Sequence, residues 1–430
     1  MDVIQAARGT RDILPEEVTY WQQVEAVARD LLQRAAYREI RTPIFEQTPL
    51  FERGIGEATD IVGKEMYTFL DRGDRSITLR PEGTAGAVRA YVEHHLHAQG
   101  GVQRLWYLGS MFRYERPQAG RQRQFHQLGV EVLGSADPRA DAEVVAIAAQ
   151  FLQALGIQGW TLMLNTVGTS ADRQHYREAL VRYFSPYAAD LDPDSQERLH
   201  RNPLRILDSK DPKTQTIAQS APQIFDYLSD ASRQHFEQVQ ALLTQLEIPF
   251  QLNPCLVRGL DYYTHTAFEF QLADLGAQST VCGGGRYDRL VTELGGPETP
   301  AVGWAIGLER LILSLQNLGA CAVATPDCYV VSRGQDAEAQ ALKLAHELRQ
   351  QGWSVELDLS GSAFGKQLKR AARSNTPLCL ILGDTEAQAQ TLQLKWLKSG
   401  EQATLSQLEL LQTADELKAK IFVCKKAKTV

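Results

Sequence analysis

The chain of 430 residues lacks any apolar run long enough to cross a bilayer. Met1 to Arg11 lacks the apolar centre of an export signal. Neither a membrane anchor nor secretion is therefore expected. Cysteine is scarce, and the six thiols (Cys255, Cys282, Cys321, Cys328, Cys379 and Cys424) include no C-x-x-C pair. This argues against structural zinc and a disulfide framework, and for reduced, mostly buried thiols in the cytoplasm. An excess of positive charge is lacking too. With 45 basic and 52 acidic residues the net charge is −7, which excludes indiscriminate nucleic-acid binding through a uniformly basic surface. No internal repeat is evident. What remains is ordinary: 43% hydrophobic and 23% charged residues, enough for two or more domains with sizeable cores.

Basic residues are gathered locally. Arg113, Arg116, Arg121 and Arg123 face a single acid, Glu115, between Phe112 and His126. Lys366, Lys369, Arg370 and Arg373 have no acid among them between Phe364 and Arg373, and Lys425, Lys426 and Lys428 lie in the tail. An acidic body with separate basic faces suits a protein that grips a polyanion in one pose. Each patch alone reads equally well as solvated surface charge.

Apolar spacing predicts a helix from Leu14 to Ala36, with Pro15 near its start, and a strand from Arg38 to Phe45. A hairpin is expected from Met66 to Leu70 and Ser76 to Leu79, then a helix over Gly83 to His97. Leu105 to Glu131 reads as a long hairpin, Ala140 to Leu155 as a helix and Thr161 to Asn165 as a strand. From Ser170 to Leu246, polar helical stretches alternate with Pro and Asp, which reads as a helical insertion. Strands resume at Gln251 to Arg258, Ala267 to Gln271 and Ser279 to Cys282, before a glycine-rich G-G-G-R-Y-D. A helix follows at Gly307 to Asn317, then a linker around Leu318 to Pro326. Beyond it the order β-α-β-α-β (Cys328–Ser332, Ala337–Gln351, Ser354–Leu359, Gly365–Ser374, Leu378–Leu382) predicts a small α/β domain with a largely parallel sheet.

Four segments carry chemistry. On the Phe112–Gly134 hairpin, Arg113 can meet a phosphate or carboxylate with its fork of donors, while Gln127 and Glu131 stand on the facing strand. That pairing of charges suits a small zwitterion beside a phosphate; a surface ion pair is the plain alternative. In L-R-P-E-G-T (Leu79–Thr84), Glu82 and Thr84 can hold an ammonium group and Gly83 admits close backbone approach, or the pair simply caps a helix. In V-R-G-L-D-Y-Y (Val257–Tyr263), Arg258 stands beside two phenols that could equally be core. In G-W-A-I-G-L-E-R (Gly303–Arg310), Arg310 could reach a terminal phosphate.

In this order, with an α/β domain after them, these segments resemble the class II aminoacyl-tRNA synthetases. A-R-G-T-R-D (Ala7–Asp12), G-E-A-T-D-I-V-G-K-E-M-Y (Gly56–Tyr67), R-P-Q-A-G-R-Q-R-Q-F-H-Q-L-G-V-E (Arg116–Glu131), R-G-L-D-Y-Y (Arg258–Tyr263) and G-G-G-R-Y-D (Gly283–Asp288) narrow the resemblance to the histidyl-tRNA synthetase family, over essentially the whole chain. It implies an α+β fold: an antiparallel-sheet catalytic core at 1–325 with a helical insertion at about 170–250, and an α/β anticodon-binding domain at 326–430. The implied activity is ATP-dependent joining of L-histidine to tRNA-His through histidyl-adenylate. Arg113 and Arg258 would flank the α-phosphate as catalytic groups, with Glu115, Arg121 and Arg310 also on ATP. Glu82, Gly83, Thr84, Gln127, Glu131, Tyr262 and Tyr263 would form the histidine pocket, with Glu131 and Tyr263 on the two ring nitrogens. Arg116, Gln118, Arg123, Lys366, Lys369, Arg370 and Arg373 would contact tRNA. The resemblance further implies Mg²⁺ with the ATP phosphates, no zinc or organic cofactor, no editing domain, and a homodimer through Tyr37 to Ile61. Two other readings stand beside it: a non-catalytic paralogue serving as regulatory subunit of ATP phosphoribosyltransferase, and a class II synthetase for another amino acid. The C-terminal domain and the intact pocket residues weigh against the first, and R-G-L-D-Y-Y with Glu131 against the second.

Overall fold

A computed structural model describes residues 3–56, 59, 61–118, 120–257, 260–273, 279–319 and 325–426. The chain divides into two compact units, Met1–Cys321 and Ala322–Val430.

The strands of the first unit's main sheet are β1 (Arg38–Glu39), β2 (Gln103–Phe112), β3 (Gln124–Leu133), β4 (Trp160–Thr166), β5 (Gln251–Leu252), β6 (Thr264–Leu272), β7 (Thr280–Arg286) and β8 (Ala301–Gly307). Among the described residues they form one eight-stranded sheet in the order β1-β2-β3-β8-β7-β6-β4-β5. The six inner strands pair antiparallel; only the short edge strands β1 and β5 pair parallel.

The helices of this unit used below are α1 (Pro15–Arg34), α2 (Thr48–Ile55), α3 (Thr84–Glu93), α4 (Pro138–Ala154), α5 (Ser170–Phe184), α6 (Pro193–Arg201), α7 (Pro212–Ala218), α8 (Asp230–Gln245) and α9 (Leu308–Asn317). Side chains alternate across a strand. Trp106, Leu128, Val130 and Val132 therefore face one way and pack with Trp21 and Val24 of α1, Val144 and Val145 of α4, Phe236 and Val239 of α8, and Leu311 and Ile312 of α9. The intervening residues of β2 and β3 face the other way, where the candidate site lies.

The expected strand Arg38–Phe45 is instead two short pieces. Arg38–Glu39 joins the main sheet, and Phe45–Gln47 pairs with Ser76–Leu79 in a three-stranded sheet completed by Tyr67–Leu70. Pro43, which has no amide hydrogen to donate, sits between them. The strand expected from Gln251 to Arg258 ends at Leu252, two residues before Pro254. The expected Gly83–His97 helix stops at Glu93, and a 3₁₀ turn takes over at Leu96–Gln99. From Ser170 to Gln245, α5 to α8 start at side-chain caps: Thr169 with Asp172, then Asp192, Asp211 and Ser229. Asp-Pro opens both α6 and α7, the proline at a position that needs no hydrogen bond.

The second unit contains β9 (Cys328–Arg333), α10 (Gln335–Gln350), β10 (Val355–Leu357), α11 (Phe364–Arg373), β11 (Leu378–Gly383), β12 (Thr391–Trp396) and β13 (Gln402–Ser406). Its sheet runs β10-β9-β11-β12-β13. The first three strands are parallel, as the β-α-β alternation predicts, but β12 and β13 add an antiparallel ribbon, so the sheet is mixed. Leu344 and Leu348 of α10 pack on Val330 and Leu380 in a core of its own. Cys282, Cys328 and Cys379 are buried and Cys255 is partly so; none of the four forms a disulfide. Among the described residues no helix is long and apolar enough to cross a membrane.

Candidate active site

The face of the main sheet turned away from α1, α4, α8 and α9 opens into a cavity of about 490 Å³. Register places its floor: Tyr107 of β2 stands opposite Gly129 of β3, and Glu131 stands opposite Gly303 of β8. Glu131 is only 1% exposed. Its carboxylate accepts hydrogen bonds from the Tyr107 hydroxyl at 3.3 Å and from the Tyr287 hydroxyl. Glycine makes room for this trio. A Cβ on Gly83 or Gly129 would overlap the Tyr107 ring, and one on Gly303 would overlap the Glu131 carboxylate. Burial pushes the Glu131 carboxyl up to about 8; hydrogen bonds from Tyr287 and Thr84 oppose the rise and the nearby charge of Glu82 adds to it.

Glu82 is buried beside this group, and burial raises its pKa against the pull of two backbone donors. Its oxygens accept from the amides of Thr84 and Ala85, both at 2.7 Å, so it caps the start of α3. Its acid is thereby fixed at the rim of the same cavity, two residues from the Thr84 hydroxyl. Gln127 lies between the two ends of the cavity, and its Oε1 is buried without a hydrogen-bond partner. Tyr262 and Tyr263 close one wall from a loop just before β6. Their ring centroids are 4.8 Å apart, and Tyr262 lies 5.5 Å from Tyr287.

The opposite end is cationic. Arg113 follows the last residue of β2, and its amide still bonds to Arg123 across the hairpin. Its Nε donates to the Pro81 carbonyl at 2.9 Å, and its guanidinium lies over the Phe125 ring at 5.3 Å. Glu115 sits between two arginines, 3.9 Å from Arg113 Nη1 and 3.0 Å from Arg121 Nη1. Arg310 of α9 donates from Nη1 to the Thr280 carbonyl at 2.6 Å. Burial, and then the like charge of Arg121, lower its pKa. Three guanidiniums, two from the hairpin and one from α9, thus converge where a polyanion would lie, one cavity length from a buried carboxyl. Among the described residues no group of three His, Cys, Asp or Glu side chains is placed to hold a metal ion.

The structure therefore brings Glu82, Thr84, Arg113, Glu115, Arg121, Gln127, Glu131, Tyr262, Tyr263 and Arg310 to one cavity. Gly83 lies directly beneath, against Tyr107. Arg258 lies outside the described residues. Arg116 and Gln118 are exposed at the hairpin tip, beyond the cavity. Arg123 is engaged differently: its guanidinium stacks on Tyr114 at 3.7 Å and its chain packs on Gly9 of the A-R-G-T-R-D segment. In the second unit Lys366, Lys369 and Arg373 are exposed on α11. Arg370 is paired with Asp358 at 2.7 Å and donates to Ser362 at 2.6 Å, which leaves less of it for an outside ligand.

Tyr107 and Tyr287 were not foreseen as members of the site. A signal existed: Tyr107 alternates in phase with the cavity-facing side of its hairpin, and Tyr287 sits inside G-G-G-R-Y-D. Asp208 and Lys210, which reach the cavity from the helical insertion, carry no motif that would have disclosed them.

An antiparallel sheet that holds such a two-ended cavity on its open face, with a mixed α/β unit following in sequence, defines the class II aminoacyl-tRNA synthetases. Comparison with known proteins narrows this. A family model described as histidyl-tRNA synthetase matches residues 9–311, and one described as an anticodon binding domain matches residues 327–417. The chain is 75% identical over 421 residues to the histidine–tRNA ligase of Cyanothece sp. (strain PCC 7425), covering 98% of each chain. It is 71% identical over 425 residues to that of Acaryochloris marina, covering 99% of each. Among solved structures, apo S. aureus histidyl-tRNA synthetase matches with a TM-score of 0.80 and 39% identity, over 95% of this chain and 99% of that one. The chain belongs to the histidyl-tRNA synthetase family.

Proposed function

We propose that this protein joins L-histidine to the 3′ end of tRNA-His in two steps: histidine and ATP give histidyl-adenylate and pyrophosphate, and the histidyl group then passes to the terminal ribose with release of AMP. Family membership supports the reaction. The observation that carries the choice of amino acid is the buried Glu131 held between two phenol hydroxyls on the cavity floor. Glu131 would take one imidazole nitrogen and Tyr263 the other. Any side chain without two ring nitrogens leaves these groups unpaired in a dry pocket, and other synthetase sites built on that principle discriminate by roughly 10⁴–10⁵. Glu82 and Thr84 would hold the ammonium group. The unpaired Oε1 of Gln127 is an acceptor and suits that same ammonium; with its amide turned over, the NH₂ would face the substrate carboxylate.

The first step sets an anionic carboxylate against an anionic phosphate. Arg113 and Arg258 would flank the α-phosphate, offset the repulsion and follow the charge into the transition state. Arg310, Arg121 and Glu115 would seat the rest of the nucleotide. Mg²⁺ would enter on the ATP phosphates as part of the substrate and neutralise the departing pyrophosphate.

We assign 1–325 to catalysis, with its helical insertion at about 170–250, and 326–430 to reading the anticodon, whose unstacked bases suit specific contact. Arg116, Gln118 and Arg123 on the hairpin, and Lys366, Lys369, Arg370 and Arg373 on α11, are the proposed tRNA contacts, the exposed members making the stronger case. We also propose a homodimer, acting in the cytoplasm. The small three-stranded sheet supports pairing, because it exposes Phe45 at 58%, Phe69 at 47% and Leu70 at 65%, beside Ile44 at 49%. Pyrophosphate exchange with each amino acid in turn tests the reading. Histidine alone should support exchange; exchange with another amino acid, or with none, would overturn it.

A further inference from the structure

The segment that brings Tyr262 and Tyr263 to the cavity has no strand pairing of its own before β6 begins at Thr264. Three elements hold it instead, and all three meet at Asp261. The Asp261 amide donates to the Ile55 carbonyl at the end of α2, at 3.2 Å. Arg173 of α5 donates from Nη1 to the Asp261 carbonyl at 3.3 Å. Asn202, which follows α6, donates from Nδ2 to Asp261 Oδ1 at 3.1 Å. The residue after α2 is Gly56, with φ 100°, and a Cβ there would lie 2.9 Å from Asp261 Oδ2. Glycine is thus what lets the carboxylate rest against the end of α2.

The carboxylate is half-buried. Burial raises its pKa, while the charges of Arg205 and Arg173 oppose the rise. These two arginines line a second cavity, of about 780 Å³, and Tyr263 lines both cavities. Neither Asp261 nor Asn202 lines the catalytic cavity, so neither touches a substrate there.

We infer that Asp261 is a positioning residue for histidine: it clamps the tyrosine segment between α2 and the helical insertion, and so sets where Tyr262 and Tyr263 stand. The inference rests on the histidine reading above. Asp261 and Thr264 are both anchored, the second by its register with Arg286, and only the two tyrosines lie between. A shift at Asp261 has nowhere to be absorbed before it reaches the Tyr263 hydroxyl. Misplacing such a binding group by about 1 Å is enough to weaken a site. The helical insertion, far from being an appended body, then holds one wall of the amino-acid pocket.

The test is pyrophosphate exchange by the full-length chain, with histidine and ATP varied separately and melting temperature read alongside. Asp261→Ala should raise the histidine KM about tenfold, the usual weight of a hydrogen bond to a charged group, with the ATP KM and the melting temperature little changed. Asp261→Asn keeps an Oδ1 acceptor for Asn202 and should restore most of the affinity. Asn202→Ala leaves Asp261 itself in place and should raise the histidine KM several-fold. An unchanged histidine KM in Asp261→Ala and Asn202→Ala overturns the clamp, as does an equal rise in both KM values. Failure of Asp261→Asn to recover affinity overturns the hydrogen-bond basis. A wild-type chain with no histidine-dependent exchange overturns the ligase reading, and the clamp with it.

Discussion

Two phenols, Tyr107 and Tyr287, donate to the Glu131 carboxyl and occupy part of it, so under the proposed pairing an incoming imidazole N–H would meet an acceptor already held in place. Glu131→Gln keeps the shape but cannot take up the charge that the carboxyl would gain on accepting a hydrogen bond from the imidazole. It should raise the histidine KM about tenfold or more, with the ATP KM nearly unchanged, because a hydrogen bond to a charged group is worth about 1.5–3 kcal/mol; amino-acid and ATP titrations of exchange check this. The same carboxyl gives a pH signature. Its pKa is raised from 4.5 in the open chain to about 8 in the empty fold, so between these values the folded state holds a proton that the unfolded state releases. Stability from this group is therefore full below about 4.5 and is lost as pH rises through about 8. The melting temperature without histidine should fall from pH 6 to 8.5 in the wild type, and fall less in Glu131→Gln. Arg258, proposed for the α-phosphate, offers a complementary test. Arg258→Ala should lower the rate of adenylate formation by about 10²–10³, the loss typical of a removed transition-state donor, while histidine binding persists; single-turnover rates and equilibrium binding separate the two.

Elements locate these residues, and one buried pair shows how. Arg286 ends β7 and Asp141 lies on α4; the two form an ion pair at 1% and 0% side-chain exposure. Burial works against the Asp141 charge, yet the His235 hydrogen bond and the Arg286 charge outweigh it and hold the acid at about 2. Arg286→Met would leave that carboxylate buried with only the 3.4 Å contact to His235 Nε2, and should cost about 3–5 kcal/mol in urea unfolding. The long hairpin β2–β3 was legible in the sequence because one face of β3 packs on helices through Leu128, Val130 and Val132 while Gln127 and Glu131 alternate with them. The glycine run of G-G-G-R was not legible as strand, since glycine carries no periodicity. Its reason is visible only in three dimensions: a Cβ on Gly284 would overlap the Gly303 carbonyl, and one on Gly285 would overlap the Thr266 carbonyl. Strand β12 does carry a strand signal, Leu392, Leu394 and Trp396 alternating with polar residues, whereas β13, Gln402–Ser406, is a short polar edge with little periodicity. The site was legible where charge marks it, at Glu82, Arg113, Glu131 and Arg310. Tyr107 and Tyr287 act through the Glu131 carboxyl on the cavity floor, and their phase and motif mark where they lie without marking that role.

At the scale of the whole molecule, each unit has its own apolar core, one around the sheet and helices that carry the cavity and one around β9 and α10. A chain cut near Pro326 should therefore retain histidine-dependent pyrophosphate exchange while transfer to tRNA-His falls steeply, since the proposed anticodon contacts are gone; comparing exchange with aminoacylation on one preparation checks it. The full chain should sediment at twice its 47.9 kDa mass, with the exposed Phe45 and Phe69 covered. The central claim, that an acid and a phenol read both edges of an imidazole, meets its most direct test in a crystal structure of the histidine complex. One ring nitrogen should lie within hydrogen-bond distance of the Glu131 carboxylate and the other within reach of the Tyr263 hydroxyl. Ring nitrogens turned to water or to aliphatic walls would contradict the account.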